Sequence, residues 1–202
     1  MIIADAWNHR IMQWTTGVNN GVVIAGGHGS GNQLNQLKNP AENHVVRRYQ
    51  LRDKSYTVVA GGNGKGDGLN QLNRPTDVFV DRHQAVCVSD NENHRVMKWS
   101  KDAKKGIVVA GGQGNGNSLT QLSYPVGLFV DVLGTVYVVE SRNNRVTRWI
   151  EGEKQGTVIV GGNGDGKEAN KFNFPVDLSF DRKCNLYVVD QNNHRVQKFS
   201  LE

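Results

Sequence analysis

GGNGKGDGLNQLNRPTDVFVDRHQAVCVSDNENHRVMKWSKDAKKGIVVA, residues 61–110, is one full period of a repeat, and its reading decides the fold. Four short runs within it, 78–80, 85–88, 96–99 and 107–110, are rich in β-branched and aromatic residues and are bounded by turn formers. They predict four strands, A to D in chain order, with no 3.6-residue periodicity to compete. Gly61-Gly62 stands where the previous unit's strand D ends and the chain must turn sharply, a place where glycine tolerates positive φ. The same glycine loop recurs from Gly26, Gly111 and Gly161, at spacings of 35, 50 and 50 residues.

Two further blocks keep step with it. Asn-His-Arg before an apolar residue occurs from Asn8, Asn93 and Asn193, with variants Asn43-His44-Val45 and Asn143-Asn144-Arg145. A proline block follows each glycine loop, from Arg74, Tyr124 and Phe174. The chain 1–202 therefore reads as a single array with units near 1–27 (partial), 28–62 (shortened), 63–112, 113–162 and 163–202 (partial). Pro75 stands 18 positions before Asn93, whereas Pro40 stands 3 before Asn43, so the second unit lacks 15 residues, those of its strands A and B. In a meander the B-to-C and D-to-A connections share one face, so losing A and B together leaves the chain on the same side. With the first unit starting at B and the last stopping after C, the expected strand numbers are three, two, four, four and three. Short antiparallel strands, four per repeat of about 50 residues, are the pattern of a β-propeller blade. The expected fold is all-β, a propeller of four-stranded antiparallel blades, about four of them.

The combination of Asn-His-Arg-Val after a strand ending in Asp, a Pro-x-Asp or Pro-x-Gly start and an Ala-Gly-Gly end resembles the NHL repeat, over essentially the whole chain. The resemblance implies a propeller, usually six-bladed, that serves as an interaction platform. Such propellers select RNA or protein partners in tripartite-motif ubiquitin ligases and act as a sensor in a bacterial receptor kinase. A catalytic, metal-containing relative is the peptide-amidating lyase. Set against six blades this chain is expected to be an incomplete ring, a fragment or truncated product, with strand edges open to self-association.

Composition narrows the classes. The 24 glycines exceed the ordinary share of roughly 7% but fall largely in four equivalent loops, without a Gly-X-Y period. No apolar run approaches the roughly 18 residues of a membrane span, and the N-terminus shows no signal-peptide pattern, so a cytoplasmic location and no membrane partner are expected. Cys87 and Cys184 make no disulfide framework. Cys87 aligns with Tyr137 and Tyr187 and reads as a core substitution. A net charge of +5 permits anionic partners without requiring them.

Gly161 to Lys167 matches G-x-x-x-x-G-K, but Glu168 stands where a phosphate loop needs Ser or Thr, and no helix pattern follows. Histidines 9, 44, 94 and 194 fall one per unit, too dispersed for a metal site. No catalytic, cofactor-binding or metal residues are expected, and no enzyme. Asp5 with Arg10, Asp90 with Arg95, Glu140 with Arg145 and Asp190 with Arg195 form the structural motif, an acid closing strand B beside the arginine that opens strand C. The repeat-variable residues of the D-to-A face are the candidate partner surface: His28, Lys65, Asn115, Asp165 and Lys167 on the glycine loops, with the pre-proline Arg74, Tyr124 and Phe174. The expected partner is a protein or peptide, bound by a non-catalytic scaffold that serves as the recognition part of a ubiquitin-ligase-like or signalling protein. The alternatives are single-stranded RNA on a basic and aromatic face and a metal-dependent lyase related to the amidating enzyme.

Overall fold

The computed structural model describes residues 43–49 and 56–200, with the backbone alone at Tyr49, and the backbones of three earlier strands. Those are β1 (Ile2–Asp5), β2 (Arg10–Gln13) and β3 (Val22–Gly26). The second unit supplies β4 (Val45–Tyr49) and β5 (Tyr56–Gly61). The third supplies β6 (Pro75–Val80), β7 (Val86–Asp90), β8 (Arg95–Trp99) and β9 (Ile107–Gly111). The fourth supplies β10 (Pro125–Val130), β11 (Val136–Glu140), β12 (Arg145–Trp149) and β13 (Thr157–Gly161). The fifth supplies β14 (Pro175–Phe180), β15 (Asn185–Asp190) and β16 (Arg195–Ser200).

Among the described residues these strands form five antiparallel sheets of three, two, four, four and three strands, each a meander in chain order. The shortened second unit is a C–D pair, as its missing 15 residues require. Register repeats from unit to unit. Pro75 faces Asp90, Val86 faces Trp99 and Arg95 faces Gly111, with bulges after Pro75 and Val96 that recur after Pro125 and Val146. A bulge twists and re-aims the strand without ending it.

The cores lie between successive sheets. Leu128 and Val130 of β10 pack with Cys87 of β7 and Val96 of β8, and Leu178 of β14 packs with Val139 of β11. Trp99 and Trp149 are almost fully buried. Gly106 and Gly156 lie against their indole rings, where an added Cβ would stand 2.8 Å and 2.6 Å from ring carbons. Gly111 has φ +66° and its Cβ would stand 2.6 Å from the His94 carbonyl oxygen, so both conformation and space demand glycine at the strand D exit.

Candidate partner-binding face

The B-to-C and D-to-A connections meet on one face, and a buried ion pair ties them together. Arg95 Nε donates to Asp90 Oδ2 at 2.7 Å, while its terminal nitrogens donate to the carbonyls of Asp67 (2.6 Å), Gly68 (3.1 Å) and Gln71 (3.3 Å) in the glycine loop. Asp90 also accepts from the Asn73 N–H and from Asn93 Nδ2, which reaches on to the Gly66 carbonyl. Glu140 with Arg145 and Asp190 with Arg195 repeat this, with Nε–carboxylate distances of 2.8 Å. Five guanidinium donors in a rigid fork are what lets one arginine hold a carboxylate and a loop together. Asp5 and Arg10 are register partners in β1 and β2, and their side chains lie outside the described residues. Isolated bridges Lys65–Leu72, Asn115–Leu122 and Asp165–Phe172 complete the loops.

The middle residue of the motif reaches forward to the next unit. The Arg74 N–H donates to His44 Nδ1 (3.0 Å), the Tyr124 N–H to His94 Nδ1 (3.3 Å) and the Phe174 N–H to Asn144 Oδ1 (2.9 Å). An accepting Nδ1 places the neutral ring's proton on Nε2. Burial pushes the His94 imidazole below its ordinary value, against the pull of Glu92 and Asp90. Arg74, Tyr124 and Phe174 hold φ of 54°, 48° and 55° directly before proline, a left-handed conformation that costs a bulky residue about 1–3 kcal/mol. The bond from the preceding unit offsets that strain and fixes where each side chain stands.

On this frame sit the candidate contact residues. Lys65 and Arg74 are exposed and both lie near Glu92, at 3.7 Å and 3.4 Å. Asn115, Asp165 and Lys167 are exposed on their loops, and His28 lies outside the described residues. Tyr124 is edge-on to His94, with ring centres 4.7 Å apart. Arg142 stands between two rings, 5.7 Å from Tyr124 and 5.6 Å from Phe174. It also lines a cleft of about 460 Å³ with Asn117, Asn143 and Asp165. Arg142 was not among the sequence candidates, which came from the glycine loops and the pre-proline positions, although its equivalents Glu92 and Asn192 show that this turn position also varies between units.

The opposite face carries a larger cleft, about 890 Å³, at the A-to-B turns. Each of those turns is closed by an aspartate: Asp81 accepts from the N–H groups of His83 and Ala85, and Asp131 and Asp181 accept equivalently. Hydrogen bonds from Asn185, first of all its side chain, hold Asp181 down to about 2. The cleft's apolar wall is the aromatic row Phe79, Phe129 and Phe180, with Tyr137 against Phe180 at 4.9 Å. Cys87 is fully buried and burial pushes its thiol up to about 11, so it is a packing residue without nucleophilic character. Among the described residues no three His, Cys, Asp or Glu side chains converge on a common point. None of their helices is long and apolar enough to cross a membrane.

A family model for the NHL repeat matches residues 72–99 and 172–199, each running from the end of a glycine loop through strand C. No curated protein matches the sequence. Among solved structures, an auxiliary nutrient binding protein from Bacteroides ovatus aligns at TM-score 0.68 and 16% identity, covering 98% of this chain and 55% of that one. The nidogen/laminin complex aligns at 0.62 and 15%, covering 95% and 71%. Virginiamycin B lyase from Staphylococcus aureus aligns at 0.56 and 12%, covering 100% and 66%. The chain spans about half the length of the solved structures it matches, 43% to 58% in five of them. At these identities the likeness is one of fold.

Proposed function

We propose, from the premise that this chain carries NHL repeats on propeller-type blades, that it is a non-catalytic scaffold binding a protein or peptide partner through its D-to-A face. It would serve as the recognition part of a larger ubiquitin-ligase-like or signalling protein. The observation that carries the reading is the row Arg74, Tyr124 and Phe174. Three side chains that differ between units are held in a strained conformation by a forward bond to the same position of the preceding unit's motif, His44, His94 or Asn144. An invariant frame presenting variable side chains is the arrangement expected of a recognition surface. Arg142 between two rings adds an exposed cation of the kind found at contact centres. One structural neighbour is itself a complex of two proteins, nidogen and laminin.

The motif histidines favour scaffold over lyase, since His44 and His94 each spend Nδ1 on the backbone of the next unit. RNA is the weaker alternative, because Glu92 neutralises Lys65 and Arg74 within the same face. The test is affinity capture of partners by the chain beside its Arg142→Glu and Tyr124→Ser variants. Specific partners are expected with the parent chain and lost with both variants, and partners retained by both would reject the face. A single-stranded RNA oligonucleotide bound in a steeply salt-dependent manner would move the assignment to RNA.

A further inference from the structure

The second unit lacks strands A and B from the middle of the array, and the structure shows what that leaves bare. In complete neighbours, strand A's apolar residues rest on strands A and B of the unit before. Leu128 and Val130 are 5% and 4% exposed, and Phe180 lies 5.0 Å from Phe129 and 4.9 Å from Tyr137. The equivalent residues of β6, Val78 and Val80, face the unit that has no strand A or B, and they are 45% and 59% exposed. Beside them β4 pairs with β5, and on its other side no described strand takes up the backbone groups that a strand B would bond.

Two arginines of β4 mark the ends of the missing hairpin. Arg47 stands where Thr147 and Gln197 stand, and those side chains bond the acid that closes strand B, Glu140 at 3.0 Å and Asp190 at 3.2 Å. Unit two has lost that acid; the Arg47 guanidinium lies over the Tyr56 ring of β5, 4.5 Å from its centre, and its Nε is buried with no hydrogen-bond partner. Arg48 stands where Lys98 stands, 3.7 Å from both Asp81 of the A-to-B turn and Glu151 of the next unit. The first of these is deleted in unit two and the second is replaced by Lys101, and no ion pair reaches exposed Arg48 among the described residues. A buried donor left unbonded is penalised, and an incoming acceptor relieves that penalty.

We propose that this slot is a docking site for an acidic β-hairpin of a partner protein. The hairpin adds a strand to the free edge of β4, covers Val78 and Val80, and sets one carboxylate at Arg47 and another, from its turn, at Arg48. Backbone pairing supplies the binding energy, and the two arginines and the apolar wall select the sequence. The site is separate from the D-to-A face and stands or falls independently of it.

The chain's own A–B hairpin has the required chemistry, with Asp131 in its turn and Glu140 at its end. The probe is a fluorescein-labelled peptide of residues 125–140, titrated into the full chain and followed by anisotropy. Saturable binding is expected, weakened at least about tenfold, or about 1.4 kcal/mol, by Val80→Lys or Arg48→Glu in the chain. The same loss is expected from a peptide carrying Asp131→Asn with Glu140→Gln, while Tyr124→Ser in the chain leaves binding unchanged. Both chain substitutions are on exposed side chains, and an unchanged circular dichroism spectrum confirms folding. No saturable binding, equal binding by the carboxylate-free peptide, or indifference to Val80→Lys overturns the proposal. So does a homodimer in light scattering that Val80→Lys dissolves, which would give the slot to a second copy.

Discussion

The units 75–111 and 175–200 carry the same motif with nearly the same hydrogen bonds, yet they sit in different surroundings. Asp90 and Asp190 are both fully buried and each holds its arginine at 2.7 or 2.8 Å, but the Arg95 side chain is 7% exposed and that of Arg195 is 30%. Val96 is fully buried, whereas Val196 is 61% exposed. Protonation follows. At Asp90 burial outweighs the donors Asn73, Asn93 and Arg95 and the carboxyl rises. At Asp190 burial acts the same way, but donors in the same positions outweigh it and the carboxyl falls. Nearly the same bonds, with Gln197 Nε2 a further donor to Asp190 where unit 75–111 has Met97, thus carry different weight according to what lies over them: unit 75–111 is covered by β9 and by the next sheet, and β16 is the last strand of its sheet among those described.

The comparison makes graded predictions. Arg95→Ala would leave a buried carboxylate and three loop carbonyls without their donor, for an expected loss of about 3–5 kcal/mol. Arg195→Ala, where water reaches the site, should cost about 2 kcal/mol. Urea unfolding of both variants measures this, and equal losses would break the comparison. Val96→Ala should cost about 2 kcal/mol, while Val196→Ala should stay within about 0.5 kcal/mol by the same assay.

The smallest effect concerns pH. Burial holds the folded His94 imidazole below its unfolded value, so folding favours the neutral ring. That contribution is complete above the unfolded value of about 6.5 and is lost as pH falls through the folded one. His94→Asn copies Asn144, which makes the same bond to Phe174 without titrating. The variant's urea midpoint should therefore fall less than the parent's on acidification, and parallel curves would show that the His94 bond carries no pH dependence.

Much of this fold was legible because the repeat supplied its own controls. The strand numbers three, two, four, four and three followed from aligning Pro75 with Pro40 and Asn93 with Asn43, and the five sheets have those numbers. The glycines were legible because Gly111 must have positive φ and no Cβ, both local requirements. What could not be read depends on neighbours distant in sequence. His94 bonds Tyr124, 30 residues on, and nothing around His94 points there. Arg142 matters only because Tyr124 and Phe174, from different units, arrive on either side of it. Val78 and Val80 look like ordinary core until the absence of 15 residues elsewhere is placed in space beside them.

The forward bond from each unit to the strained pre-proline residue of the next gives the array a direction. Tyr124 cannot hold its conformation cheaply until His94 is in place, and Phe174 waits in the same way on Asn144. The anchor lies N-terminal to the residue it holds in every pair, so each junction between units adds its own interface contribution to the stability of the array. The amides of Tyr124 and Phe174 should exchange hydrogen together with the turn behind them rather than with the sheet ahead.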